Sequence, residues 1–134
     1  MKINAFEVAA RYVYPAVRRR LVEILREKGL SQGRIAKLLH ITQSAVSRYL
    51  SMRRGHLINV AKFRDIDTLL RNLANQIMTD EPDEYTIHKL LIKATLEVLA
   101  RGYACSIHAR VDPSIDPSKC GICTTLFAPE ATAA

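Results

Sequence analysis

The sequence predicts an all-α protein. Glycine and proline are scarce, at five each in 134 residues, so little of the chain is punctuated by turns. Apolar residues recur mostly at spacings of three and four, the period of a helix with one buried face. The chain has no internal repeat and no long low-complexity segment.

Each element has its own local reason. Asn4 and Glu7 have the spacing of a capping box, which predicts a short helix opening near residue 5. Pro15 suits the first turn of a second helix over 15–28. Val17, Leu21, Ile24 and Leu25 fall on one of its faces, and Arg18, Arg19, Arg20 and Arg26 fall mostly elsewhere. Gly29 fits the residue just past the helix end, with Leu30 folding back on it. Two short helices follow, at about 31–39 and 42–51. Ser31 and Thr42 are their expected N-caps. Asn59 is the candidate cap of a longer helix over about 60–79, striped by Phe63, Ile66, Leu70, Leu73 and Ile77. "TDEPDE" (79–84) breaks it and starts another, whose stripe is Ile87, Leu91, Ala94 and Val98; Gly102 ends it. From residue 105 the periodicity stops. "RVDPSIDPSK" is turn chemistry, and the last residues read as a frayed tail.

Charge divides the chain. Residues 1–64 hold 14 Lys/Arg against 3 Asp/Glu, a net of +11, and residues 65–134 hold 6 against 10, a net of −4. A basic half is the electrostatic footprint of a nucleic-acid binder, whose affinity comes largely from neutralised phosphates. No apolar run approaches the ~18–20 residues of a membrane span, and the first residues lack the pattern of a secretory signal. Three cysteines cannot pair off internally, so a disulfide scaffold is disfavoured. A soluble, cytoplasmic protein with no membrane partner is expected. There is no P-loop, no glycine-rich nucleotide loop and no carboxylate cluster for two metal ions, so an enzyme is not expected.

The stretch "SQGRIAKLLHITQSAVSRYLSMRRG" (31–55) carries the most information. Ile35, Ala36 and Leu39 would bury one side of its first helix, and Val46, Tyr49 and Leu50 one side of its second. Ala36 is small where two helices cross closely. The outer face of the second helix carries Gln43, Ser44, Ser47, Arg48 and Ser51, short or planar hydrogen-bonding groups suited to base edges in a major groove. An ordinary helical hairpin with a polar outer face is the plainer alternative.

This stretch resembles the helix-turn-helix regulators of the Cro and phage-repressor (XRE) type. Gln32 stands where that family has a Gln opening the first helix, and Ile41, Val46 and Tyr49 stand at its apolar positions. Over residues 13–55 the chain is similar to a group of predicted archaeal regulators that pair this motif with a Cys/His-bearing C-terminal region. The resemblance implies binding to double-stranded DNA, with 42–51 as the recognition helix. Gln43, Ser44, Ser47 and Arg48 would face bases, and Gln32 and Thr42 would meet phosphates. Arg53 and Arg54, just past that helix, are expected on phosphate. His40 departs from the family, which usually has Gly in the turn; that position often needs positive φ, so local strain is expected there. Proteins of this kind usually bind as two-fold dimers, so a homodimer is expected, with the helix at 87–103 the better candidate seam.

The cysteines complete the picture. Cys105 and His108 form C-x2-H; after eleven residues Cys120 and Cys123 form C-x2-C. Two close pairs joined by a turn-rich loop have the spacing of a Cys3His zinc knuckle. An iron–sulfur cluster is the next choice for such donors. Unliganded thiols and a C-x-x-C dithiol oxidoreductase rank below, the latter because no βαβ pattern surrounds the motif. His40, His56 and His88 read as ordinary surface or core. The expected architecture is therefore a helix-turn-helix bundle (1–58), a helical, dimerising region (59–103), a Cys/His metal knuckle (104–125) and a flexible tail (126–134). Its expected function is sequence-specific regulation of transcription, with a nucleic-acid-binding architectural protein as the alternative.

Overall fold

The computed structural model describes residues 1–51 and 55–127. Among these residues all regular secondary structure is helical, with no strand. Arg53, Arg54 and the tail from residue 128 lie outside the described residues, so the expectations placed on them have no structural counterpart.

The chain enters through α1 (Ala5–Val8), capped as its sequence predicts. The Asn4 side chain accepts from the Phe6 and Glu7 amides, and Glu7 accepts in return from the Asn4 amide. The expected break before Pro15 is absent. One wide π turn, Ala9–Val13, runs straight into α2 (Tyr14–Glu27). Proline lacks an N–H and its ring crowds the carbonyl four residues back; a turn closed instead by the Tyr14 amide on the Ala9 carbonyl makes room without ending the helix. Gly29, at φ +93°, reverses the chain past α2, and the Leu30 amide returns to the Leu25 carbonyl.

Helices α3 (Gln32–Leu39) and α4 (Gln43–Leu50) follow, capped by Ser31 and Thr42, whose hydroxyls accept from the Arg34 and Ala45 amides. Between them His40 takes left-handed backbone angles, φ 57° and ψ 39°. The next helix departs from expectation. Asn59 makes no side-chain cap; it opens a single 3₁₀ turn, Val60–Lys62, and α5 (Arg64–Asp80) starts only after Phe63. The reason is tertiary: the Phe63 ring stacks on Tyr103, centroids 4.1 Å apart and planes 3° from parallel. Asp83 then caps α6 (Glu84–Ala100) through the Thr86 amide.

Helix α2 is central, packing against α3, α4, α5 and α6. A single core joins the residues before and after 58, from Val8 through Leu21, Ile35, Val46, Ile66 and Leu91 to Ile107. Burying a side chain of this size stabilises by roughly 1.5–3 kcal/mol. The expected stripes of α5 and α6 lie inside this core, with Ile66, Leu70, Ile77, Ile87, Leu91 and Val98 all buried. They are thus covered by the chain itself. The apolar side chains that α6 leaves outward are Tyr85, Ile92 and Leu96.

The segment after residue 104, where the periodicity stops, is helical too: α7 (Cys105–Val111), α8 (Pro117–Cys120) and α9 (Ile122–Leu126). Ile107 and Ala104 join the core, and α9 packs on α6. Among the described residues no helix is long and apolar enough to cross a membrane.

Candidate functional site

Two places gather the residues singled out by sequence. The first is α3, its turn and α4. Ile35, Ala36, Leu38 and Leu39 face inward from α3, and Val46 and Tyr49 from α4. That leaves Gln43, Ser44, Ser47 and Arg48 exposed together on the opposite side of α4. Their positions, one and four residues apart, share a helical face. The Arg48 Nη2 donates to the Ser44 Oγ at 3.2 Å, which lays the guanidinium along the helix. Thr42 and Gln32 stand at the first turns of α4 and α3; the Thr42 hydroxyl is engaged as a cap. The Gln43 side chain lies over the start of α3, its Oε1 beside Gly33.

Much of the positive charge on α2 is structural. Arg20 Nε meets Asp67 at 2.6 Å, and Arg71 binds the same carboxylate at 3.0 Å, tying α2 to α5. Burial alone would raise the Asp67 pKa; hydrogen bonds from Arg20 and Arg71 outweigh it and hold the carboxyl below its ordinary value. Arg19 bonds the Tyr49 carbonyl at 3.2 Å and Glu23 at 3.4 Å. Arg18 differs. Its Nη1 and Nη2 donate to the hydroxyls of Tyr49 and Tyr14, at 3.3 and 3.2 Å, and its guanidinium lies 5.0 Å from the centre of the Tyr14 ring. Burial works against its charge, but the two hydroxyls outweigh that and its pKa lies above the ordinary arginine value. Residue spacing gave no sign of this cluster, because its members lie up to 74 positions apart, from Tyr14 to His88.

The second place is the C-terminal end. Cys105, His108, Cys120 and Cys123 all line one small cavity of about 70 Å³, closed on other sides by Val8 and Leu99. All three thiols are free and partly buried. Burial first, and the neighbouring sulfur of Cys120 second, push the Cys105 thiol up; burial and both other cysteines do the same for Cys123. His108 is buried and its Nε2 lies 2.9 Å from the Ile3 carbonyl oxygen. A carbonyl only accepts, so Nε2 carries a proton, and in the neutral ring the lone pair is on Nδ1. One imidazole nitrogen on a backbone carbonyl and the other available is the arrangement that orients metal-binding histidines. Donor type and convergence on one cavity thus suit a thiolate-rich metal site. Among the described residues, no three of His, Cys, Asp and Glu are grouped closely enough to hold an ion as they stand.

Asp112, one turn after His108, was not apparent from sequence. Its carboxylate accepts from the Lys2 and Ile3 amides, at 2.6 and 3.1 Å, and from the Ser114 hydroxyl at 2.6 Å. His108 and Asp112 together strap residues 2–3 against α7, beside the cysteine cavity. Against known proteins, the chain matches no family model, no curated protein and no solved structure.

Proposed function

We propose that the chain is a sequence-specific regulator of transcription that reads double-stranded DNA with α4 and works as a homodimer. The observation that carries this reading is the outward face of α4. Four hydrogen-bonding side chains, Gln43, Ser44, Ser47 and Arg48, stand exposed on a helix capped at its start and backed by a tightly turned second helix. Such a face supplies donors and acceptors to base edges, and the basic N-terminal half supplies the attraction to phosphate. Gln32, Thr42, Arg53 and Arg54 are assigned to phosphates in this reading. The homodimer follows from the geometry of two-fold operators, not from a seam on the inner faces of α5 and α6.

Selection of bound fragments from the native genome, followed by competition with random duplex, tests the proposal. A preferred sequence bound ~10³-fold or more above random duplex is expected. Equal affinity for both would make the chain an architectural binder, and no duplex binding would end the reading. Sedimentation at micromolar concentration tests the dimer, and a monomer both free and on a half-site would overturn it.

We also assign Cys105, His108, Cys120 and Cys123 as ligands of one metal centre, zinc ahead of an iron–sulfur cluster. The shared cavity and the committed Nε2 of His108 support it. Zinc would supply structural closure of α7–α9, and a cluster would supply sensitivity to oxidants. Metal analysis and an absorption spectrum of protein purified without oxygen decide. A colourless protein with one zinc per chain fits the first, visible absorption with bound iron the second, and absence of both leaves three plain thiols.

A further inference from the structure

A cleft of about 460 Å³ opens beside the C-terminal end of α4, away from the cysteines. Arg11, Tyr12, Tyr14 and Arg18 form one wall; Tyr49 and the segment Gly55, His56 and Leu57 form the other. That volume lies within the range of small-molecule sites. Among the described residues, no Asp or Glu lines it.

Arg18 is the centre of the cleft's chemistry. Two of its five N–H groups are held by Tyr14 and Tyr49, and three remain. Both partners are hydroxyls, which fix the guanidinium in place without neutralising it. The Tyr14 hydroxyl accepts from Arg18, so its own proton is free for the His88 Nδ1, 3.0 Å away on α6; the anchor is itself anchored. Among the described residues Arg18 makes no ion pair, whereas Arg19, Arg20, Arg34, Arg71 and Arg101 each meet a carboxylate. Arg11 brings a second cation; among the described residues its one carboxylate contact, Glu7 at 3.7 Å, is long and exposed.

We propose that this cleft is a binding site for a phosphate monoester carrying a flat ring. Two guanidinium groups with no lining carboxylate match a group of nearly two negative charges. The tyrosine and Leu57 walls provide room and apolar surface for a ring, more than a lone phosphate needs. Tyr49 belongs to α4, so occupancy bears directly on the helix assigned above to DNA. That regulatory consequence rests on the DNA reading, but binding itself does not. A backbone phosphodiester of bound DNA, with a single charge, is the other source of a phosphate oxyanion.

The test is calorimetric titration of the full chain with phenyl phosphate, inorganic phosphate and phenol in chloride buffer. Expected is one saturable phenyl phosphate site per chain, about ten-fold tighter than inorganic phosphate, with no phenol binding. Arg18→Gln and the surface variant Arg11→Gln should each weaken it about ten-fold. No binding of phenyl phosphate above chloride, or wild-type affinity in both variants, overturns the small-ligand site. In the second arm, the salt dependence of duplex binding is measured. If phenyl phosphate fails but both variants flatten the salt slope by about one, the phosphate is that of DNA. If neither readout moves, the cleft binds no phosphate. Should the chain bind no duplex, the calorimetric arm still decides.

Discussion

The His40 Nε2 lies 3.1 Å from the Pro82 carbonyl oxygen, fastening the turn between α3 and α4 to the loop between α5 and α6. Arg34, on α3, meets Glu81 of the second loop at 2.6 Å. This explains how a histidine holds a left-handed position that favours glycine. The backbone cost is roughly 1 kcal/mol, and a hydrogen bond returns about 0.5–1.5 kcal/mol. His40→Gly removes both terms and should leave stability within ~1 kcal/mol of wild type. His40→Val loses the bond and keeps the strain, and should destabilise by ~2 kcal/mol or more. Urea unfolding of the two variants checks this. Equal destabilisation would mean that the hydrogen bond alone governs the turn.

Gly55 makes a second backbone demand. It sits at φ +69°, and a Cβ there would collide with the Pro15 carbonyl oxygen and stand 2.9 Å from the Arg19 Cβ. Neither neighbour can move without shifting α2. Gly55→Ala should therefore destabilise by about 2–4 kcal/mol, the sum of left-handed strain and overpacking. Gly29→Ala meets nothing within 4 Å and should cost only ~1 kcal/mol of backbone strain. Urea midpoints of the two variants compare them directly. A similar small loss for both would show that the segment at Gly55 can move off α2.

What the sequence made legible was local. The caps at Asn4, Ser31 and Thr42 act on amides two or three residues away, so their spacing is their mechanism. The buried faces of α2–α6 follow from period alone. Asn59 misled because stacking of Phe63 on Tyr103, forty residues on, sets where α5 begins. The last three helices have 7, 4 and 5 residues, too short to show a period. Cys105, His108, Cys120 and Cys123 line one cavity, but their spacing could not reveal that His108 and Asp112 hold residues 2–3. Nor could it reveal Arg18 between Tyr14 and Tyr49, since both features depend on the folded path.

Asp112 gives the fold a pH dependence with a definite sign. The Ser114 hydroxyl, followed by the Ile3 and Lys2 amides, holds its carboxyl far below the usual carboxylate range. A carboxyl with a depressed folded pKa contributes stability above its unfolded pKa of about 3.9 and loses it as pH falls toward the folded value. The wild type should therefore be more stable than Asp112→Asn at pH 6–7, with the gap closing below about pH 4. Urea unfolding from pH 7 to 2.5 follows it. A gap that stays constant across that range would assign the effect to geometry instead of charge.

Arg48 offers the sharpest test of the DNA reading. Its guanidinium is exposed, and Ser44 one turn back on α4 holds one Nη2 hydrogen, leaving the other donors outward. A planar fork pre-oriented in this way matches the two acceptors of guanine, a contact worth about 1–3 kcal/mol of discrimination. Arg48→Ala should thus weaken the preferred site by roughly 5- to 150-fold while random duplex loses far less. Arg48→Lys keeps the charge and loses the fork, so it should keep random binding and still forfeit most of the preference. Ser44→Ala should fall between wild type and Arg48→Ala, because it frees the guanidinium without removing it. Titrations of all three variants against preferred and random duplex at one salt concentration decide the role. Equal losses on both duplexes for Arg48→Ala, with full rescue by Arg48→Lys, would make Arg48 a phosphate contact and move base reading to Gln43 and Ser47.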